Sequence, residues 1–123
     1  MYKVNLYYQQ VSAIVSTPVR KLVSCVSEKG ISYRPQERII SIGGYTQRGL
    51  WVLNVGEAIN NIKSGAEGYF ILTVSNRELN IILADFEGKE YLKTETDLDS
   101  PDNLLGLPPF YGSALTGQIA MKN

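Results

Sequence analysis

The chain has 123 residues, 44% hydrophobic and 20% charged, with 12 basic and 12 acidic side chains and no histidine. That length suits one domain with one core, and a net charge of zero excludes both a strongly charged disordered chain and a polyanion binder held by net charge. Without histidine there is no Ser–His or Cys–His nucleophile pair and no imidazole ligand for a metal. With a single cysteine, Cys25, there is no internal disulfide and no zinc site built from several Cys or His ligands. Cys25 lies in the apolar run Leu22-Val23-Ser24-Cys25-Val26 and reads as an inert core thiol.

In chain order, residues 2–8 alternate apolar and polar side chains with β-favouring types and predict a strand. Residues 11–15 form a weaker strand candidate, and Pro18 marks a break. Residues 22–27 are apolar and β-branched and predict one central strand, followed by a turn at Glu28-Lys29-Gly30 and a loop through Pro35. Residues 38–42 predict the next strand, which Gly43-Gly44 ends or bulges. Residues 51–53 form a short extended piece.

The period then changes from two to 3.6. Val55, Ala58, Ile59 and Ile62 make one apolar stripe on a predicted helix, Val55–Ser64. Asn54 and Glu57 stand at the N-cap and N3 positions of a capping box, Lys63 lies in the last turn, and Gly65 suits a left-handed C-terminal cap. Beyond it, residues 69–74, 79–86 and 90–94 predict three strands, joined by a turn at Asn76-Arg77 and a tight hairpin at Glu87-Gly88. Residues 104–109 are too broken by Gly and Pro for a helix of any length.

The charges are segregated along the chain. Residues 1–66 carry eight basic and three acidic side chains, and residues 67–123 carry four basic and nine acidic ones. Either the two halves neutralise each other as neighbours in the fold, or the molecule has a basic face able to accept an anion.

The landmarks Glu37-Arg38-Ile39, Ile42-Gly43-Gly44, Trp51, Glu57-Ala58-Ile59 and Ser64-Gly65 are followed by Gly88-Lys89-Glu90-Tyr91-Leu92-Lys93-Thr94 and Asp102-Asn103-Leu104-Leu105-Gly106-Leu107-Pro108. In this order and spacing they resemble domain-of-unknown-function family 3892, a group of small bacterial and phage proteins, over about residues 21–108. The strand ending in Thr94 and the tail beginning at Asp102 are the most specific part. The resemblance implies a small β-rich domain with one helix, and it carries over no activity, cofactor or catalytic residue. Residues 1–20 fall outside it as an N-terminal strand extension. Residues 109–123 fall outside it as a C-terminal tail, docked in part through Phe110, Tyr111 and Leu115.

Several constellations were candidates for chemistry. Asp97, Asp99 and Asp102 lack the glycine and the bidentate glutamate of a calcium loop and read as a solvated acidic turn. Asp102-Asn103 suits the start of a single helical or 3₁₀ turn. The Gly43–Gly49 segment has the backbone freedom of a phosphate cradle but lacks Gly-Lys-Ser/Thr, and it also reads as a hairpin with positive-φ turns. Tyr33, Tyr45, Tyr69 and Tyr91, with Arg34, Arg38, Arg48 and Lys93, can stack on and neutralise a nucleotide or a single strand. Tyrosines also half-bury on strands for structural reasons alone. Glu37, Glu57, Glu90 and Asp97 are the carboxylates left to a histidine-free enzyme, and nothing in the sequence fixes two of them in one cleft.

The expected architecture is α+β: a mostly antiparallel sheet of five to six strands with the helix Val55–Ser64 on one face, and Trp51, Leu72, Ile81 and Leu83 in the core. The expected function is a small non-enzymatic binding or interaction domain, with a protein partner or self-association through a sheet edge or the N-terminal strand. The alternatives are a nucleotide or single-stranded nucleic-acid binder, extended by a phage origin to antagonism of host defence, and a small carboxylate-dependent enzyme. The candidate ligand-binding residues are Arg38, Gly43, Gly44, Tyr45, Arg48, Tyr91 and Lys93. No catalytic residue, metal ligand or cofactor is expected. With no long apolar stretch and no signal-peptide pattern at Met1-Tyr2-Lys3-Val4-Asn5-Leu6, the expected location is the cytoplasm, away from membranes.

Overall fold

The chain at the first described strand changes sheets within two residues. In the computed structural model, which describes residues 19–110, β1 (Val19–Leu22) pairs in parallel with β5 (Glu67–Leu72), Val19 opposite Glu67 and Leu22 opposite Phe70. The Val23 N–H still donates to the Phe70 carbonyl (2.8 Å), whereas the Ser24 N–H donates to the Gly43 carbonyl (2.9 Å). Successive amides of an extended chain point to opposite edges, so each half of this segment satisfies its backbone on a different side. β2 (Cys25–Glu28) then runs antiparallel to β3 (Ile39–Thr46), with Cys25 opposite Gly43.

Two sheets result. One has the order β1-β5-β6-β7, where β6 is Glu78–Phe86 and β7 is Lys89–Thr94, and the other has the order β2-β3-β4, where β4 is Gly49–Asn54. Among the described residues, every strand pairing other than β1–β5 is antiparallel. The expected single sheet of five to six strands is therefore corrected: the predicted strand over 22–27 is two strands, split at Val23-Ser24. Gly43-Gly44 neither ends nor bulges β3, which continues to Thr46. The irregularity lies earlier, where Ser27 faces Ser41 but Glu28 faces Ile39. The extra residue, Ile40, breaks the alternation, so Ile39 and Ile42 both point inward and Ile40 is 43% exposed.

Among the described residues, three helices accompany the sheets: α1 (Pro35–Arg38), α2 (Val55–Ser64) and α3 (Asp102–Leu105). The long helix and a turn near Asp102 were expected from the sequence, whereas α1 was not, the segment through Pro35 reading as a loop. α1 begins with Pro35, whose fixed φ suits a first helical position. α2 has the predicted capping box, with the Glu57 N–H donating to Asn54 Oδ1 (2.8 Å) and the Asn54 N–H donating to Glu57 Oε1 (3.0 Å). Its Gly65 cap is left-handed, at φ 81°. α3 is the single turn expected near Asp102-Asn103, with Pro101 rather than a capping side chain at its N-cap. The β6–β7 hairpin turns on Glu87 (φ 51°) and Gly88 (φ 83°), the positive pair of a two-residue loop.

α2 lays Ala58 fully into the core, with Val55, Ile59 and Ile62 packed at its margin. Val23, Val26, Ile39 and Ile42 meet Tyr69, Ile71, Leu79, Ile81 and Leu92 there, and Leu104 of α3 closes one end. Of the expected core residues, Ile81 is buried and Trp51 and Leu83 pack against the cluster. Leu72 is 41% exposed instead, because Tyr69 and Ile71 are the inward-facing residues of β5 and Leu72 falls on the other face. The predicted strands over 2–8 and 11–15 lie outside the described residues, as do Tyr111 and Leu115; Phe110 is buried. No helix among the described residues is long and apolar enough to cross a membrane.

Candidate functional site

A cleft of about 400 Å3 opens between the β2–α1 connection, the start of α2 and the β6–β7 hairpin. Its apolar lining is Ile39, Ile40, Val55, Phe86, Tyr91 and Leu92, and its polar lining is Lys29, Tyr33, Gln36, Glu37, Lys89 and Glu90. The bulge at Ile40 turns that side chain out of the core and into this wall. The I′-like turn at Glu87-Gly88 brings Phe86 and Lys89 directly opposite each other. Lys29 lies over the Tyr33 ring (5.0 Å) and Arg34 over the Phe86 ring (5.3 Å). Arg34 also bonds Glu87 (2.6 Å), and Lys63 holds Glu90 (3.1 Å). Among the described residues, Lys29, Lys89 and Glu37 have no ion-pair partner.

Tyr91 is 6% exposed, and its hydroxyl has no hydrogen-bond partner among the described residues. Burial pushes its pKa up, with the negative charges of Asp99 and Asp97 adding to the effect. A second groove, of about 330 Å3, runs from Leu72 to Val74 along α3, with Asp102 as its one charged lining residue. It offers little polar chemistry by comparison.

Of the seven sequence-predicted site residues, only Tyr91 lines the cleft. Arg38 is adjacent in sequence to lining residues, but its guanidinium donates to the carbonyls of Tyr33 (2.8 Å) and Ile31 (3.3 Å) and closes that loop. Lys93 donates to the Leu98 carbonyl (2.5 Å). Tyr45 and Arg48 stand at the far end of β3 and in the β3–β4 turn, away from Ile39 and Ile40. A Cβ on Gly43 would overlap the Phe110 ring and the Trp51 carbonyl, and one on Gly44 would overlap the Leu22 carbonyl. These glycines permit close approach of chain to chain. Sequence reasoning missed Lys29, Gln36, Phe86 and Lys89, which come from separate segments and form no local motif.

Two polar clusters outside the cleft account for other reactive side chains. Glu67 accepts from Lys21 (2.8 Å), the Tyr69 hydroxyl (2.6 Å) and Asn61 (3.2 Å), and Lys21 lies over the Trp51 ring (4.9 Å). The hydrogen bond from Lys21, with that from Tyr69, holds the Glu67 carboxyl below its usual range. Burial, with the Glu67 hydrogen bond, pushes Tyr69 up to about 12. The cluster ties β1, β5 and α2 beneath β4. Asp97 accepts from the Thr94 N–H (2.9 Å), the Thr94 hydroxyl (3.0 Å) and the Asn103 N–H (3.2 Å). The acidic turn is thus a latch between β7 and α3, and no group of three or more Cys, Asp or Glu among the described residues is placed to hold a metal ion.

Comparison with known proteins agrees with the landmarks. No curated protein matches the chain, and no solved structure matches it. The family model described as protein of unknown function (DUF3892) matches residues 23–108. That span runs from the sheet switch to the turn after α3, the whole two-sheet unit apart from β1, and the chain belongs to the DUF3892 family.

Proposed function

We propose that this domain is a non-catalytic binding module and that the cleft beside the β6–β7 hairpin is its ligand site. The observation that carries this reading is the lining itself. Ile39, Ile40, Val55, Phe86 and Leu92 wall a space of about 400 Å3, with charged side chains at its rim. Apolar walls with a few convergent polar groups, in a volume of roughly 300–1,000 Å3, are the usual form of a small-ligand site.

The chemistry present favours binding over turnover. The chain has no histidine, Cys25 is buried with its thiol pushed up by desolvation, and one of the two cleft carboxylates, Glu90, is engaged by Lys63. The test is NMR titration of the full ¹⁵N-labelled chain with a panel of organic acids, amines, nucleotides and short peptides. The expected result is saturable shifts clustered on Ile40, Val55, Phe86 and Tyr91 for at least one member, abolished by Ile40→Asp. Shifts that cluster elsewhere, or none across the panel, would overturn the reading.

A further inference from the structure

We propose that the ligand of this cleft is an organic anion carrying a planar, amine-bearing ring, the chemistry of a nucleoside monophosphate. The inference rests on the cleft being the binding site. It starts from the charges left over after the ion pairs of the fold are formed. Arg34 is engaged by Glu87 and Lys63 by Glu90. The cleft-lining charges without an ion-pair partner among the described residues are then Lys29, Lys89 and Glu37. Two ammonium groups suit an anion bearing more than one negative charge. A carboxylate accepts only, so Glu37 selects a ligand group with N–H donors.

The remaining lining suits a flat ring. Tyr33, Phe86 and Tyr91 contribute aromatic surface, and Ile39, Ile40 and Leu92 contribute aliphatic surface. Bases stack on such side chains whatever their sequence, because each has a π face. Tyr91 lines the same wall, and its hydroxyl has no hydrogen-bond partner among the described residues.

The same accounting favours one nucleotide over a strand. A single strand needs a track of free cations beside its stacking platforms. Arg38 is used by the Tyr33 and Ile31 carbonyls, Lys93 by the Leu98 carbonyl and Arg34 by Glu87, so among the described residues no such track leads away from the cleft.

The test is calorimetric and NMR titration of the full chain with adenosine 5′-monophosphate, adenosine, uridine 5′-monophosphate, inorganic phosphate and a short oligo-dA. The adenine nucleotide should bind saturably with shifts at Phe86 and Tyr91, and its affinity should fall as salt rises. Lys29→Ala and Lys89→Ala, both at exposed positions, should each weaken it about tenfold. Glu37→Ala should weaken the adenine nucleotide and leave the uridine nucleotide unchanged. Phosphate binding as tightly as the nucleotide, oligo-dA binding more tightly per site, or insensitivity to both lysine variants would overturn the proposal. If the nucleotide is silent while a peptide or amine shifts the cleft residues, the ligand class fails and the cleft survives as a site. Nucleotide shifts confined to Tyr45 and Arg48 would remove both.

Discussion

The Phe110 ring occupies the space that a side chain on Gly43 would need. Gly43 therefore lets the end of the described chain seat on the three-stranded sheet. Gly43→Ala drives a methyl into both that ring and the Trp51 carbonyl, and should cost about 1–3 kcal/mol, as overpacking does. Gly68→Ala provides the contrast, since a Cβ there meets nothing within 4 Å. It should be neutral or stabilising by about 0.4–1 kcal/mol through the unfolded chain. Urea denaturation of both variants checks the pair, and equal effects would contradict the close-approach reading.

The Lys21–Glu67–Tyr69 cluster predicts pH dependence at both extremes. The folded pKa of Glu67 is depressed below 4.5, so its contribution is present above that value and is lost as pH falls through the folded pKa. The folded pKa of Tyr69 is raised from 10.0 to about 12. Its contribution is complete below pH 10 and is lost between about 10 and 12, on the order of 2–3 kcal/mol at one pKa unit per 1.36 kcal/mol. Tyr69→Phe should remove that share of the alkaline loss and cost about 1–3 kcal/mol at pH 7. Denaturation series at pH 4, 7 and 11 measure all three effects.

Asp97 joins β7 to α3 by accepting three hydrogen bonds, two from Thr94 and one from Asn103. Thr94 is fully buried. Asp97→Ala leaves its backbone and hydroxyl donors without that partner and should destabilise by about 2–3 kcal/mol. Hydrogen exchange should show the loss first at the amides of Thr94 and Asn103. Unchanged protection there would mean that the latch carries no weight.

Cys25 is 1% exposed, with its thiol pushed up by burial. A protonated, covered thiol is a poor nucleophile. Native protein should leave a disulfide-exchange reagent unreacted over hours at pH 8, and denatured protein should react with one equivalent at once. Fast native labelling would show that this region opens readily.

What was legible in the sequence was local. Asn54 and Glu57 are three residues apart and satisfy each other's backbone, so the start of α2 needed no tertiary information. Glu87-Gly88 likewise states its own hairpin. The charge segregation was half legible: each of the four ion pairs among the described residues, from Arg20, Lys21, Arg34 and Lys63 to Glu78, Glu67, Glu87 and Glu90, joins the basic half to the acidic half. The sheet assignment was not legible, because the 22–27 run reads as one apolar strand and only its distant partners, Phe70 and Gly43, divide it. The cleft was hidden for the same reason. Lys29, Ile40 and Lys89 acquire a common surface only after β3 bulges and the β6–β7 hairpin folds against it. Arg38 and Lys93 looked like free cations because the carbonyls that hold them are invisible in a composition.

The change of sheets between Val23 and Ser24 has a kinetic consequence. β3–β4 and β5–β6–β7 are each built from neighbours in sequence and can form early as hairpins. The segment from β1 to β2 must find an edge of each, one of them across the whole of α2. The β1–β5 pairing is the long-range one, and contacts so distant in sequence slow folding. Because one stretch of backbone serves both sheets, peeling it from either strips the other, and the Val23 and Ser24 amides should exchange only through opening of the entire domain.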